Sequence, residues 1–327
     1  MRLSPFCLTV ALLCGSAAAL AATPAATPVP LIDHHQHLFG PGIETLLATP
    51  TGGIKSINAQ DVIGHLDTAG IDRAVLLSAA YLFGSPARVV DKEYAKVKAE
   101  NDWVAAQAAK YPKRLRAFCG INPLRDYALT ELARCAADPN LKYGVKLHFG
   151  NSDIQLERAE HLMRLQQFFR VVNDHKMALV IHLRASISKE RPYGPAQARL
   201  FLDFLMPLVP DVPVQIAHLA AAGPGYNDPK ADAVMGYLAA AVEAGDPRTR
   251  KLWFDITSVA DKAITPANAA RVVKRIRQVG ADKILYGTDA ATGDNLRPAE
   301  SWAAFRALPL TDEEFAKIAG NVAPYME

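Results

Sequence analysis

Residues 31–39 read Leu-Ile-Asp-His-His-Gln-His-Leu-Phe, a short apolar run that passes directly into three histidines. The run has the length of a buried strand, and it is the first of eight such runs, each followed by a helix-like stretch. The eight runs are Leu31–His35, Arg73–Ser78, Leu115–Ile121, Gly144–His148, Ala178–Leu183, Val214–His218, Leu252–Ile256 and Lys283–Gly287. Their starts lie roughly 30 to 40 residues apart, which is the length of a strand plus a crossover helix.

The alternation of strands with helices predicts an α/β fold with a parallel sheet. Eight strand–helix units in one chain fit a (β/α)8 TIM barrel better than an open, doubly wound sheet. The open sheet would need a G-x-G-x-x-G turn after its first strand, and His35–Phe39 contains none. Because no repeat, linker or shift in composition divides the chain, residues 31–327 are predicted to form a single barrel domain.

The N-terminal segment resembles an export signal. Arg2 is followed by the apolar stretch Phe6–Leu13 and by Ala19-Leu20-Ala21, which fits the A-x-A cleavage pattern. We therefore expect a cleavable signal peptide at residues 1–21, a flexible lead-in at residues 22–30, and an exported protein that is periplasmic or secreted. No later run approaches the length of a membrane span.

Composition excludes several classes of protein. The 327 residues carry 36 Lys and Arg against 33 Asp and Glu, a net charge of +3, too small for an electrostatic nucleic-acid binder. The 50% hydrophobic content argues against disorder, and four cysteines are too few for a disulfide scaffold. Cleavage would leave Cys119 and Cys135. Nothing in the sequence brings them within about 7 Å, so we expect them to stay unpaired.

Five histidines and one aspartate stand at or just beyond the predicted strand ends. They are His35, His37, His148, His182, His218 and Asp289. Strand ends of a barrel converge on one mouth, and residues two apart on a strand share a face. Neutral imidazoles with a carboxylate suit Zn²⁺, with Mn²⁺ or Fe²⁺ as competitors. A lone strand-end histidine is more often structural, and Asp289 alone could cap a helix, but the whole set predicts a metal site.

The other four histidines have structural explanations. His34 faces away from His35 by strand alternation, and His65, His161 and His175 lie in helical stretches. We expect all four to be packing or surface residues.

The pattern resembles the amidohydrolase superfamily, in particular its amidohydrolase-related (family 2) metal-dependent TIM-barrel hydrolases. The resemblance covers nearly the whole mature chain. Its motifs are Ile32-Asp33-x-His35-x-His37, Gly144-Val145-Lys146-Leu147-His148, His182, His218 and Tyr286-Gly287-Thr288-Asp289, with weaker support from Asn122-Pro123 and Asn321.

The resemblance implies roles for these residues. His35, His37, His182 and Asp289 would bind one divalent metal, commonly zinc, and Asp289 would alternatively act as general base. His218 would polarise the substrate carbonyl or help to hold a second ion. Lys146 lies on the strand where binuclear relatives carry a carboxylated lysine, but it would equally pair with a substrate carboxylate or a buried acid.

Three functions compete. The first is hydrolysis of a C–O or C–N bond in a lactone, ester or amide, a small and carboxylate-bearing molecule, by a metal-activated water. The second is non-oxidative decarboxylation of an aromatic or unsaturated acid, whose enzymes often replace one histidine of the first motif by glutamate; the presence of both His35 and His37 favours hydrolysis. The third is a metal-binding barrel without turnover. A homo-oligomer is compatible with all three.

Substrate contacts are predicted from the same strand ends. Arg184 is either a clamp for a substrate carboxylate or a solvent-exposed arginine at the rim. Lys146, His148 and Tyr81 complete the predicted substrate-binding set. Asp255 either orients a metal ligand, pairs with Lys146, or accepts backbone N–H groups.

Overall fold

The computed structural model describes residues 1, 28–49, 52–262, 264–290 and 295–327. The predicted signal peptide, apart from Met1, and residues 22–27 of the predicted lead-in lie outside the described residues. Within the described ranges, no helix is both long enough and apolar enough to cross a membrane.

The eight predicted strands all form. They are β1 (Ile32–Leu38), β2 (Arg73–Ser78), β3 (Leu115–Gly120), β4 (Gly144–His148), β5 (Ala178–His182), β6 (Val214–Ile216), β7 (Leu252–Asp255) and β8 (Ile284–Leu285). Neighbouring strands pair in parallel and in chain order. Backbone hydrogen bonds from His34 N to Tyr286 O (2.8 Å) and from Asp289 N to His35 O (2.7 Å) join β1 to the segment after β8. The predicted single-domain barrel is confirmed.

Within the described residues, ten α-helices surround the strands. They are α1 (Pro41–Leu47), α2 (Ala59–Ala69), α3 (Glu93–Ala108), α4 (Ala128–Ala137), α5 (Ala159–Asp174), α6 (Pro195–Phe204), α7 (Pro229–Glu243), α8 (Pro266–Val279), α9 (Pro298–Arg306) and α10 (Asp312–Gly320). Half of them begin with a proline, whose fixed φ and missing N–H suit the first helical position. Thr311 and Glu314 form a capping box at α10.

Strand alternation separates two layers of the core. On β2, Val75 and Leu77 point into the barrel with Phe118 of β3, whereas Ala74 and Leu76 pack under the helices. The C-terminal residues Ala323, Tyr325 and Met326 join the inner cluster. That cluster includes the first residues of β1 and β5, so the C-terminus closes the end of the barrel opposite the mouth.

Two predicted strands, β6 and β8, end two residues earlier than expected. β6 ends at Ile216, because His218 and Leu219 take left-handed backbone angles (φ 55° and 48°) that no strand accommodates. β8 ends at Leu285, and Gly287 follows it beside β1. A Cβ on Gly287 would lie 2.7 Å from the Cβ of His35, so only glycine lets the two segments approach.

The expectation that Cys119 and Cys135 stay unpaired is wrong. The structure joins them in a disulfide, with their Cα atoms 6.3 Å apart. Cys119 lies on β3 and Cys135 on α4, the helix that follows it. Because α4 packs back on its own strand, residues 16 apart in sequence become neighbours. The sequence gives the spacing but not the side of α4 that faces β3.

Candidate active site

The predicted site residues converge at the mouth of the barrel. His35 and His37 come from β1, Lys146 and His148 from β4, and His182 from the end of β5. The ring centroid of His35 lies 5.3 Å from that of His37 and 4.9 Å from that of His218, which itself lies 5.0 Å from His182. Four imidazoles from three strand ends therefore share one space.

The proton of the His35 ring is placed by Asp255. His35 Nδ1 lies 3.0 Å from Asp255 Oδ2, and an ionised carboxylate only accepts, so Nδ1 carries the proton. Nε2, with its lone pair, is left facing the mouth. This is the arrangement that metal-binding histidines use, in which the second ring nitrogen donates to a carboxylate or a carbonyl.

His37 and His218 follow the same rule. His37 Nδ1 donates to the carbonyl of Leu77 at 2.6 Å, and His218 Nδ1 donates to the carbonyl of Thr257 at 2.8 Å. Since a carbonyl cannot donate, both rings also offer a lone pair at Nε2. A neutral His218 in this tautomer cannot donate to a substrate carbonyl, which favours the ligand role of His218 over the polarising role.

Asp289 completes the cluster. One potential ligand atom from each of His35, His218 and Asp289 lies within 4.8 Å of the other two, and Asp289 Oδ1 lies 3.5 Å from His37 Nε2. His218 and Asp289 both have left-handed backbone angles (φ 55° and 57°), which non-glycine residues adopt at a cost of about 1–3 kcal/mol. This strain places both side chains in the mouth, and the nitrogen and oxygen donors fit a divalent transition metal.

Burial keeps four rings of the mouth neutral, those of His35, His37, His148 and His182. Desolvation, together with the nearby Lys146, lowers the pKa of His35 and of His37 to about 3. Burial likewise lowers the pKa of His148 and of His182 well below the ordinary value. Histidine must be neutral to bind a metal, so the rings are ready to act as ligands at pH 7.

Lys146 lies against the ligand atom of His35. Its Nζ is 3.0 Å from His35 Nε2, at the position where a cation would meet the lone pair. Lys146 is buried, and desolvation lowers the pKa of its ammonium group to about 8, opposed by Asp289 and Asp255. The cationic ammonium group thus lies beside His35 Nε2, which agrees with a site that binds a cation. Both predicted roles of Lys146, carboxylated ligand and free ammonium, remain predictions.

Asp255 is held by four donors. Oδ2 accepts from His35 Nδ1 and from Gln215 Nε2 (2.6 Å), and Oδ1 accepts from the backbone N–H groups of His218 (2.8 Å) and Thr257 (3.1 Å). Burial opposes the charge, but the interactions with His35 and His218 hold the pKa of Asp255 well below its usual range. Of the three predicted roles, accepting backbone N–H groups is confirmed. The structure shows the contact with His35, and the orienting of a metal ligand stays a prediction.

Asp33 ties the first motif to the last. Its carboxyl accepts from Thr288 Oγ1 (2.5 Å), from Thr288 N (3.1 Å) and from His35 N (3.1 Å). Burial raises the pKa of Asp33 to about 7 against these hydrogen bonds. The contacts fix the backbone of His35 relative to Asp289, the residue after Thr288.

His148 differs from the ligand histidines. Its Nδ1 accepts from the backbone N–H of Asn151 (3.1 Å), so its proton sits on Nε2 and is available as a donor. The His148 ring stacks on His182 at 3.9 Å and lies 5.3 Å from the ring of Tyr81. Tyr81 is buried, and burial near Asp289 raises the pKa of its hydroxyl further above 10. These positions suit the predicted contacts of His148 and Tyr81 with substrate.

A cavity of about 400 Å³ opens beside His148 and His182 and is lined by Arg184. The interpretation of Arg184 as an exposed rim residue is wrong, because the side chain is only 6% exposed. Its Nε donates to Asp228 Oδ2 at 2.6 Å, and its guanidinium stacks on Tyr193, 4.6 Å from the ring centroid. No hydrogen-bond partner of Nη2 is found within the described ranges, which leaves that group for a ligand.

Sequence reasoning did not identify Gln215, Thr257, Asp228 or the role of Thr288. Gln215 was detectable in principle, since a glutamine inside the apolar run Val214–Ile216 must find a buried partner. Thr257 acts through its carbonyl and Asp228 reaches Arg184 from the start of α7, and neither leaves a sequence pattern. The expectation that His34 is a structural residue is confirmed by its hydrogen bonds with Tyr286 O and Ala323 N.

A family model described as amidohydrolase matches residues 32–323, almost the entire barrel. The chain belongs to the amidohydrolase family. The predicted family and the predicted enzyme class are confirmed. None of the curated proteins compared with the chain matches it.

Solved structures share the fold at low sequence identity. A protein described as a probable 2-pyrone-4,6-dicarboxylic acid hydrolase from Acinetobacter baumannii, with citric acid bound, is 19% identical, with a TM-score of 0.59 over 89% of this chain and 96% of that chain. The 5-carboxyvanillate decarboxylase of Sphingomonas paucimobilis is 16% identical, with a TM-score of 0.60 over 89% and 97%. A manganese-bound dihydroxybenzoic acid decarboxylase of a Polaromonas species is 16% identical, with a TM-score of 0.57 over 89% and 94%.

Proposed function

We propose that this amidohydrolase hydrolyses a C–O or C–N bond of a lactone, ester or amide in a small carboxylate-bearing molecule. The reaction would use one divalent ion, for which zinc is the first candidate. The observation that carries the proposal is the shared tautomer of His35, His37 and His218. Each donates Nδ1–H to a protein acceptor and offers Nε2 to the same space as Asp289. Packing alone would not orient three rings in this way.

The ligand set fits a mixed nitrogen and oxygen centre, and a bound ion would supply Lewis-acid activation of water and of the substrate carbonyl. Asp289 is placed to accept the proton from the attacking water and to return it to the leaving group. His148 Nε2–H and Tyr81 line the opposite side of the cluster and are placed to hold substrate oxygens.

Arg184 supports a carboxylate on the substrate. Its guanidinium is fixed by Asp228, Tyr193 and the carbonyl of Ala185, and the side chain lines the cavity beside His148 and His182. A fixed planar guanidinium is well suited to carboxylate recognition. The Acinetobacter relative with bound citric acid is consistent with an anion-binding mouth in this fold.

Decarboxylation of an aromatic or unsaturated acid is the second candidate. The similar structures include two kinds of aromatic-acid decarboxylase, so the fold hosts both reactions. The intact His35-x-His37 pair is the feature that places hydrolysis first.

The test is a product assay on zinc-loaded and manganese-loaded protein. A panel of lactones, including a pyrone dicarboxylate, and of dihydroxybenzoates should show acid release from a lactone, ester or amide without CO₂. Arg184→Lys should raise KM for carboxylate-bearing substrates more than for neutral analogues. Release of CO₂ with no hydrolysis would replace the first function by the second, and a loaded protein inert towards the whole panel would favour a barrel without turnover.

We further propose that the protein is exported. The pattern at residues 1–21 is that of a signal peptide, and a Cys119–Cys135 disulfide agrees with an oxidising compartment. Mass spectrometry of the chain isolated from its source cells should find an N-terminus after Ala21. An intact residue 1 in a cytosolic fraction would contradict export.

A further inference from the structure

The C-terminal segment reaches the interior of the barrel. Tyr325 is 7% exposed and packs edge-on against Phe118, with ring centroids 5.0 Å apart. The segment is anchored from outside by Arg73, which donates to Met326 O at 2.6 Å, and by Arg116, which donates to Glu327 O at 2.7 Å. These contacts hold the Tyr325 hydroxyl in a fixed position inside the barrel.

That hydroxyl begins a chain of hydrogen bonds to the candidate metal site. Tyr325 donates to Gln215 Oε1, and Gln215 Nε2 donates to Asp255 Oδ2 at 2.6 Å. The same carboxylate oxygen accepts from His35 Nδ1 at 3.0 Å. Gln215 and Asp255 are fully buried, so no bulk water replaces a lost partner.

The donor and acceptor directions in this series of hydrogen bonds are fixed from both ends. A phenol hydroxyl donates to the amide oxygen, while the ionised carboxylate of Asp255 requires the amide nitrogen. If the hydroxyl is removed, Gln215 Oε1 becomes a buried acceptor without its partner, which is unfavourable. Gln215 is then held only through its amide nitrogen, which donates to Asp255 Oδ2 and to the carbonyl of His34 (3.4 Å). A shift of the amide into the space left by the hydroxyl would loosen its hold on the carboxylate that orients His35.

We propose that Tyr325 is a positioning residue for the metal ligand His35, acting through Gln215 and Asp255 over 290 residues of sequence. The inference rests on the proposed function, since it assigns His35 to a metal. It adds that the last residues of the chain, at the opposite end of the barrel from the mouth, set the affinity of the metal site.

A purely structural role makes a different prediction. If Tyr325 only fills the end of the barrel, then Tyr325→Phe keeps the ring on Phe118 and changes stability without changing metal affinity. Tyr127→Phe is the matched control, because it removes a hydroxyl that donates to Glu93 Oε1 at 2.6 Å in a part of the fold remote from His35.

The experiment measures zinc affinity by competition with a chromogenic chelator, on metal-free wild type, Tyr325→Phe, Gln215→Met, Asp255→Asn, the double variant Tyr325→Phe with Asp255→Asn, and Tyr127→Phe. Thermal unfolding of each metal-free protein is recorded alongside. We expect Tyr325→Phe and Gln215→Met each to weaken zinc binding about tenfold, at the low end of what loss of a ligand-supporting contact does. Tyr127→Phe should leave zinc affinity at the wild-type value.

In the double variant, Tyr325→Phe should add no further loss of zinc affinity to that of Asp255→Asn, because both residues act through the same series of hydrogen bonds. Zinc affinity of Tyr325→Phe and Gln215→Met within twofold of the wild type, or additive losses in the double variant, would overturn the inference while leaving the proposed function standing. Absence of zinc binding by the wild type would overturn the proposed function and the inference with it. Should Tyr325→Phe fail to fold, Gln215→Met interrupts the same chain and carries the test.

Discussion

His35 Nδ1 lies 3.0 Å from Asp255 Oδ2, and this contact joins the middle of β1 to the end of β7 with β8 between them. The carboxylate fixes the proton on Nδ1 and the ring plane, and thereby aims Nε2 at the space shared with His218 and Asp289. The candidate metal site is therefore built as much by the residues behind the candidate ligands as by those ligands.

Asp255→Asn tests this support. The amide keeps the shape of the side chain but removes the charge, so the His35 ring loses its fixed tautomer. We expect zinc affinity to fall by about 10- to 100-fold. Asp211→Asn, which removes a carboxylate from a surface pair with Lys176, is the control and should bind zinc as the wild type does. Unchanged affinity in Asp255→Asn would mean that the contact with His35 does not serve the metal.

Asp289→Asn tests proton transfer. Once a substrate is in hand, kcat should fall by a factor on the order of 10² or more, because an amide cannot accept the proton. The exposed Asp282, which lies just before β8, provides Asp282→Asn as the control with unchanged kcat. A near-normal kcat in zinc-loaded Asp289→Asn would remove Asp289 from the role of general base.

Lys146→Met tests whether the site holds one ion or two. Lys146 lies 3.0 Å from His35 Nε2, where a carboxylated lysine would bridge two ions. We expect the zinc-loaded wild type and Lys146→Met each to hold one ion per chain by elemental analysis, with lower turnover in the variant. A fall from two ions to one would show that Lys146 is a carboxylated ligand instead.

The sequence predicted the eight strands, the barrel and the residues of the mouth, because the strand pattern is local and the strands of a barrel follow one another in chain order. It did not predict how β6 ends. His218 was expected on a strand, but it lies in a left-handed turn that Asp255 stabilises by accepting the His218 N–H, a contact across 37 residues of sequence.

The tautomers of the histidine rings could not be predicted from the sequence either. The acceptors for His37 and His218 are backbone carbonyls of Leu77 and Thr257, and any residue type supplies a carbonyl. The Cys119–Cys135 disulfide was missed for a related reason, since it depends on the rotation of α4 about its axis relative to β3. Contacts set by packing angles, or made by the backbone, leave no trace in residue identity.

The buried histidines predict the pH dependence of stability in the metal-free protein. Burial lowers the pKa of His34 to about 4 and that of His35 and His37 to about 3, while the unfolded value is 6.5. At pH values between these pKa values, the unfolded chain binds protons that the folded chain does not bind. The free energy of unfolding therefore falls as the pH drops below 6.5. His148 and His182 act in the same direction.

Two carboxyls oppose this trend. Burial raises the pKa of Asp33 and Glu100 to about 7, so both favour the folded state on acidification and their contribution is lost as the pH rises through 7. Because five histidines outweigh two carboxyls, we expect the free energy of unfolding, measured by urea denaturation after chelation, to be lower at pH 5.5 than at pH 7.5. A higher value at pH 5.5 would show that these histidines are not held neutral.

Metal content tests the central claim most directly. Elemental analysis of purified protein never exposed to chelator should find about one divalent ion per chain, with zinc predominant. His35→Ala should lose most of this ion while keeping the folded circular-dichroism spectrum, and His175→Ala, a change at the C-terminal end of α5, should keep it. Metal far below one per chain in the wild type, or undiminished metal in His35→Ala, would contradict the account.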